Sequence, residues 1–102
     1  MKSRRESNPR VAVRAERSLL QALLTLRTEQ ECRSFLTDLL TPAELEALVD
    51  RWSVVAYLNE GVPYRKIHEL TGVSVTTIGR VARFLAGENG GYRVALERLN
   101  AE

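Results

Sequence analysis

The chain has 102 residues, 44% of them hydrophobic and 27% charged, with a net charge of +2; these values fit one globular domain and not a disordered segment. No apolar run approaches the roughly 20 residues needed to cross a bilayer, and the N-terminus MKSRRESNPR lacks the apolar centre of a secretion signal, so a cytoplasmic protein is expected. Cys32 is the only cysteine, which excludes an intrachain disulfide and a cysteine zinc cluster and predicts a small, buried or half-buried helix residue.

Residues 1–10 are basic and read as a flexible arm, with 11–102 forming a single helical domain. Through position 17 the chain carries Lys2, Arg4, Arg5, Arg10, Arg14 and Arg17 against Glu6 and Glu16. Ordinary solvation accounts for such a run as well as contact with phosphates does. Between Val11 and Leu26, apolar residues recur near helical spacing and predict a first helix. Thr28 and Glu31 have the spacing of a capping box, and Phe35, Leu36, Leu39 and Leu40 supply the apolar stripe of a second. This middle section is acidic: residues 28–60 hold seven acids against Arg33 and Arg51.

Thr41-Pro42-Ala43-Glu44 combines an N-cap, a proline at the first helical position and a glutamate at the third. It predicts a long third helix that ends near Gly61, before Pro63. The apolar positions of this helix reach around much of its circumference, so it should be central and nearly surrounded, either by this chain alone or by a partner chain as well, with Trp52 and Tyr57 in the core. Short helices at 64–71 and 75–86, joined by Gly72-Val73-Ser74, follow. Gly87 and Asn89-Gly90-Gly91 break the chain before a final helix built on Tyr92, Val94, Ala95, Leu96 and Leu99. The fold class is therefore all-α, with about six helices.

Residues 64–85 have the parts of a helix-turn-helix: two short helices, a glycine in the turn, and apolar residues to fix the crossing angle. Ile67, Leu70, Val73, Ile78, Val81 and Leu85 would pack inward. Gly72 would supply the left-handed turn residue and Ser74 the cap of the second helix. That arrangement turns Val75, Thr76, Gly79, Arg80 and Arg83 outward. Thr76 can hydrogen-bond base edges, Val75 can touch a thymine methyl, Gly79 permits close approach, and Arg80 can pair with guanine or phosphate. Arg83 suits a phosphate, as do Ser74 and Thr77 at the positive end of the helix. The local charge balance is also positive, since Arg65, Lys66, Arg80 and Arg83 face only Glu69 between 61 and 85. Double-stranded DNA is the expected partner.

From about Ala12 to Leu99, and best across LLTPAELEALVDRW (39–52) and YRKIHELTGVSVTTIGRV (64–81), the chain resembles the Trp repressor superfamily. ECRSFL at 31–36 and GENGGY at 87–92 resemble its TrpR-related YerC/YecD branch. The resemblance implies an intertwined homodimer whose N-terminal helices share one core, with each helix-turn-helix a reading head on a palindromic operator. It places Arg65, His68, Val75, Thr76, Gly79 and Arg80 at DNA-facing positions. It also matches Arg51 and Arg80 to the two arginines that hold the corepressor in tryptophan-binding members. Val81 and Phe84 stand where those members have glycine and serine, and should fill the pocket, so tryptophan is not expected as effector. Any other effector is unknown from the sequence, and an ion pair with Asp50 or Glu46 is the ordinary alternative for Arg51.

The function expected is a sequence-specific, DNA-binding transcriptional repressor. A dimeric protein-interaction adaptor is the competing class, kept open by the small net charge. Catalysis is not expected: His68 is the sole histidine and has no nucleophile beside it, and neither a metal-ligand cluster nor a phosphate-cradling glycine loop is present. No metal or cofactor is expected either.

Overall fold

A computed structural model describes residues 8–101. Its six helices are α1 (Pro9–Leu24), α2 (Glu29–Leu39), α3 (Pro42–Asn59), α4 (Tyr64–Thr71), α5 (Val75–Ala86) and α6 (Gly91–Asn100). There is no strand among the described residues. The chain divides into two compact units, Met1–Leu40 and Thr41–Glu102. Most of the expected basic arm lies outside the described residues; Pro9 and Arg10 open α1, two residues earlier than apolar spacing indicates.

In the first unit, α1 begins with Pro9 at a position that needs no amide donor, and α2 is capped by Thr28, whose hydroxyl accepts from the Glu31 amide at 3.0 Å. The expected reciprocal half of that box goes one residue astray. The Glu31 carboxylate accepts from the Arg27 amide at 2.8 Å, where the capping box would use the Thr28 amide. Neither helix contains a buried residue. Cys32 is exposed on α2 and not tucked away as its residue type favours.

The second unit is built on α3. Its start has a complete capping box: the Glu44 amide donates to Thr41 Oγ1 at 3.2 Å, and the Thr41 amide donates to Glu44 Oε1 at 2.9 Å. At its end Gly61 adopts φ +81°, its amide donating to Leu58 O and the Val62 amide to Tyr57 O, both at 3.0 Å. This pair of bonds is a Schellman motif, which satisfies two of the terminal carbonyls and turns the chain sharply. Pro63 then cannot extend the helix.

Helices α3 and α5 pack together, α4 lies against both, and α6 lies against α5. The core consists of Val54, Val55, Ile67, Val73, Ile78, Val81 and Leu96, with Tyr57, Leu58, Val62, Leu85 and Tyr92 half-buried around it. Within the second unit α3 is not surrounded along its length. Val54 and Val55 in its second half are buried, while Leu48 and Val49 in its first half and Trp52 just past the midpoint are exposed. Trp52 is consequently not a core residue of the single chain; its ring centroid lies 6.2 Å from that of Tyr92.

Candidate nucleic-acid interface

The turn between α4 and α5 is fixed by several local bonds. Gly72 has φ +78°, and its amide donates to His68 O at 2.8 Å. The left-handed conformation costs any residue with a Cβ roughly 1–2 kcal/mol, which explains glycine here. Thr71 Oγ1 donates to Ile67 O at 2.7 Å and accepts from the Val73 amide at 3.1 Å. His68 Nδ1 donates to Val73 O at 2.7 Å across the turn. Since a carbonyl only accepts, that bond puts a proton on Nδ1 and leaves Nε2 for an outside group. His68 is thus surface-exposed, as expected, and also ties the turn together, which no local sequence pattern signals.

Five of the six expected lock residues pack as the spacing requires: Ile67, Val73, Ile78 and Val81 are buried and Leu85 is half-buried against them. Leu70 does not; it is 52% exposed. Three residues after Ile67 on an eight-residue helix, it falls on a flank, and the core is completed without it by Val54 and Val55 from α3.

Along α5 the opposite face is open. Thr76, Arg80 and Arg83 are exposed, Val75 is 50% exposed, and Gly79 is half-buried between them. Arg65 and His68 are exposed on α4. The Ser74 hydroxyl accepts from the Thr77 amide at 3.1 Å and donates to Thr77 Oγ1 at 3.0 Å. Both hydroxyls therefore serve the cap first. The Val75 and Thr76 amides occupy the first turn, where helix geometry provides no carbonyl partner.

Gly79 stands in mid-helix, where glycine costs about 1 kcal/mol relative to alanine. Nothing inside the chain requires it. A Cβ built there would meet only Tyr64 Cε2, at the ordinary contact distance of 3.8 Å. Tyr64 thus lies beside the outward face of α5, a neighbour the sequence reading missed because the two residues belong to different helices.

The residues matched to a corepressor site come together. Arg51 of α3, Arg80, Val81 and Phe84 of α5, and Tyr92 of α6 line a cavity of about 210 Å³. Val81 is buried and Phe84 is 55% exposed, and space remains beside both. The space is smaller than the roughly 300–1,000 Å³ common for small-molecule sites. Among the described residues there is no group of acids, histidines and cysteines able to hold a metal ion, and no helix long and apolar enough to cross a membrane.

A glycine-turned helix pair, locked by a core shared with α3 and α6 and presenting an open face with two arginines, defines the chain as a helix-turn-helix protein of the all-α class. Residues 16–100 match the family model of the Trp repressor protein, and the chain belongs to that family, a family of DNA-binding regulators. It is 41% identical over 81 residues to the uncharacterized protein YerC of Bacillus subtilis (strain 168), an alignment spanning 79% of this chain and 78% of YerC. Among solved structures it is similar to a TrpR-like protein from Eubacterium eligens, with a TM-score of 0.82 and 38% identity, covering 91% of this chain and 96% of the other. It is also similar to a candidate Trp repressor from Staphylococcus aureus, with a TM-score of 0.80 and 38% identity, covering 86% and 88%.

Proposed function

We propose that the protein is a sequence-specific transcriptional repressor that binds a palindromic DNA operator as a homodimer, with α5 as the reading helix. The observation that carries this reading is Gly79, a helix-weakening residue with room for a Cβ as far as this chain's own atoms are concerned, set between exposed Val75, Thr76 and Arg80. Its benefit lies outside the chain, where a backbone that approaches closely brings its neighbours to base edges in a major groove. Arg65 and Arg83 flank that face and neutralise phosphates, the amides of Val75 and Thr76 receive another at the positive end of α5, and His68 Nε2 meets a donor or a bridging water.

Dimerisation is supported by apolar side chains that the chain leaves uncovered. Leu20, Leu23 and Leu24 on α1 and Leu48, Val49 and Trp52 on α3 are exposed. Two heads related by a two-fold axis would enter successive major grooves about 34 Å apart. Tryptophan is not the effector in this reading, because Val81 and Phe84 crowd the space between Arg51 and Arg80.

Selection of bound sequences from a random DNA pool, followed by footprinting, tests the reading directly. A palindromic site is expected, with Arg80→Ala and Thr76→Ala each reducing affinity for it by about 1–3 kcal/mol and relaxing preference at particular bases. Arg65→Ala should weaken binding to all sequences alike and reduce the salt slope by about 1. Unchanged affinity and footprint in the Arg80 and Thr76 variants would remove α5 as the reading helix. Calorimetry with tryptophan should show no stoichiometric micromolar binding.

A further inference from the structure

The C-terminal end of α5 has a partner that local sequence does not reveal. An α-helix leaves its last four carbonyls without helical donors. Here the Gly87 amide returns only to Phe84 O, at 3.2 Å. Arg93, on α6, reaches back to the same end: Nη1 donates to Leu85 O, and Nη2 donates to Gly87 O at 2.7 Å. A planar guanidinium can serve two such acceptors with its forked donors at once, whereas an ammonium is a single point of charge.

The position of Arg93 makes the contact notable. It is the third residue of α6, where the positive end of the helix dipole disfavours a cation. The same charge sits at the negative end of α5, where a cation is favoured. Its placement is thus unfavourable for the helix that carries it and favourable for the helix it touches. Gly90 caps α6 with φ +82°, a left-handed conformation that suits glycine. Buried Leu96 and half-buried Tyr92 hold α6 in the core beneath this clamp.

We propose that Arg93 is a positioning residue for DNA recognition: by holding the Leu85 and Gly87 carbonyls it fixes the terminal turn of α5, and with it the pitch at which Arg80 and Arg83 meet the groove. This rests on the reading of α5 as the DNA-facing helix. Arg93 acts on binding through α5 and makes no phosphate contact itself. Its removal therefore affects discrimination between sequences more than general attraction to DNA.

The test uses the full chain with Arg93→Gln and Arg93→Lys, in three measurements. Amide hydrogen exchange should accelerate over residues 84–87 in Arg93→Gln, with a smaller change in Arg93→Lys, while the core amides of Val54 and Ile78 keep their protection. Binding to a selected operator should weaken about tenfold in Arg93→Gln, comparable to the lower end of one lost base contact, with partial recovery in Arg93→Lys. Affinity for random-sequence DNA of equal length, and the salt slope on it, should stay unchanged.

Unaltered exchange over 84–87 overturns the clamp whatever the DNA data show. Equal losses on both DNAs with a salt slope shallower by about 0.9 would make Arg93 a phosphate contact. A lowered Tm with the operator-to-random ratio preserved would make it structural only. If the wild-type chain fails to distinguish any operator from random DNA, the reading of α5 is what fails, and the exchange measurement still decides whether the clamp exists.

Discussion

The helix pair α4–α5 and the helix pair α1–α2 are both amphipathic, yet they meet opposite ends within the single chain. Ile67, Ile78 and Val81 are fully or almost fully buried, whereas α1 and α2 bury nothing and Leu24 is 84% exposed. The α4–α5 pair is held by the bonds of its turn and by a small core that α3 and α6 complete. The N-terminal pair has the pattern of a core helix without a core to use it on. Apolar periodicity says which face of a helix seeks burial; it does not say which chain supplies the other side.

Substitutions can break that contrast in graded steps. Ile78→Ala should be the most damaging, costing about 2–5 kcal/mol in denaturant unfolding, because it empties a fully enclosed site. Gly72→Ala should cost roughly 1–2 kcal/mol despite open space around the new methyl group, since the penalty lies in the left-handed backbone. Gly79→Ala sharpens the comparison from the other side. It should stabilise the fold by about 0.5–1 kcal/mol in the same assay while weakening operator binding, an opposition that a purely structural glycine would not produce. Leu24→Ala should shift unfolding of the monomer by no more than about 0.5 kcal/mol. In the proposed homodimer, paired Leu20→Glu and Leu23→Glu changes should instead lower the sedimenting mass and abolish any rise of Tm with protein concentration.

Local chemistry accounts for what the sequence made legible. Thr28, Thr41 and Ser74 as caps, Gly61 and Gly72 as turn residues, and the span of α4 and α5 all follow from bonds within a few residues, and all are present in the structure. What escaped depends on neighbours from elsewhere. Val54 carries no sign that it, rather than Trp52, is buried, because both belong to an apolar surface that runs around α3. Leu70 looks like a lock residue until α3 has completed the core. Tyr64 beside Gly79 and Tyr92 beside Arg51 arise only when different helices meet. Arg93 left one readable sign, a cation at the wrong end of a helix, and the reason for it lies six to eight residues away.

The Schellman turn after α3 also has a mechanical side. At 1.5 Å per residue, the 18 residues of α3 make a rod about 27 Å long. Its C-terminal half is joined to α4 and α5 by Val54, Val55 and the bonds of Gly61 and Val62, while its first half presents bare Leu48 and Val49. A stiff rod gripped at one end acts as a lever, so in the proposed homodimer a small tilt imposed by a partner at Leu48 and Val49 would become a displacement of Thr76 and Arg80.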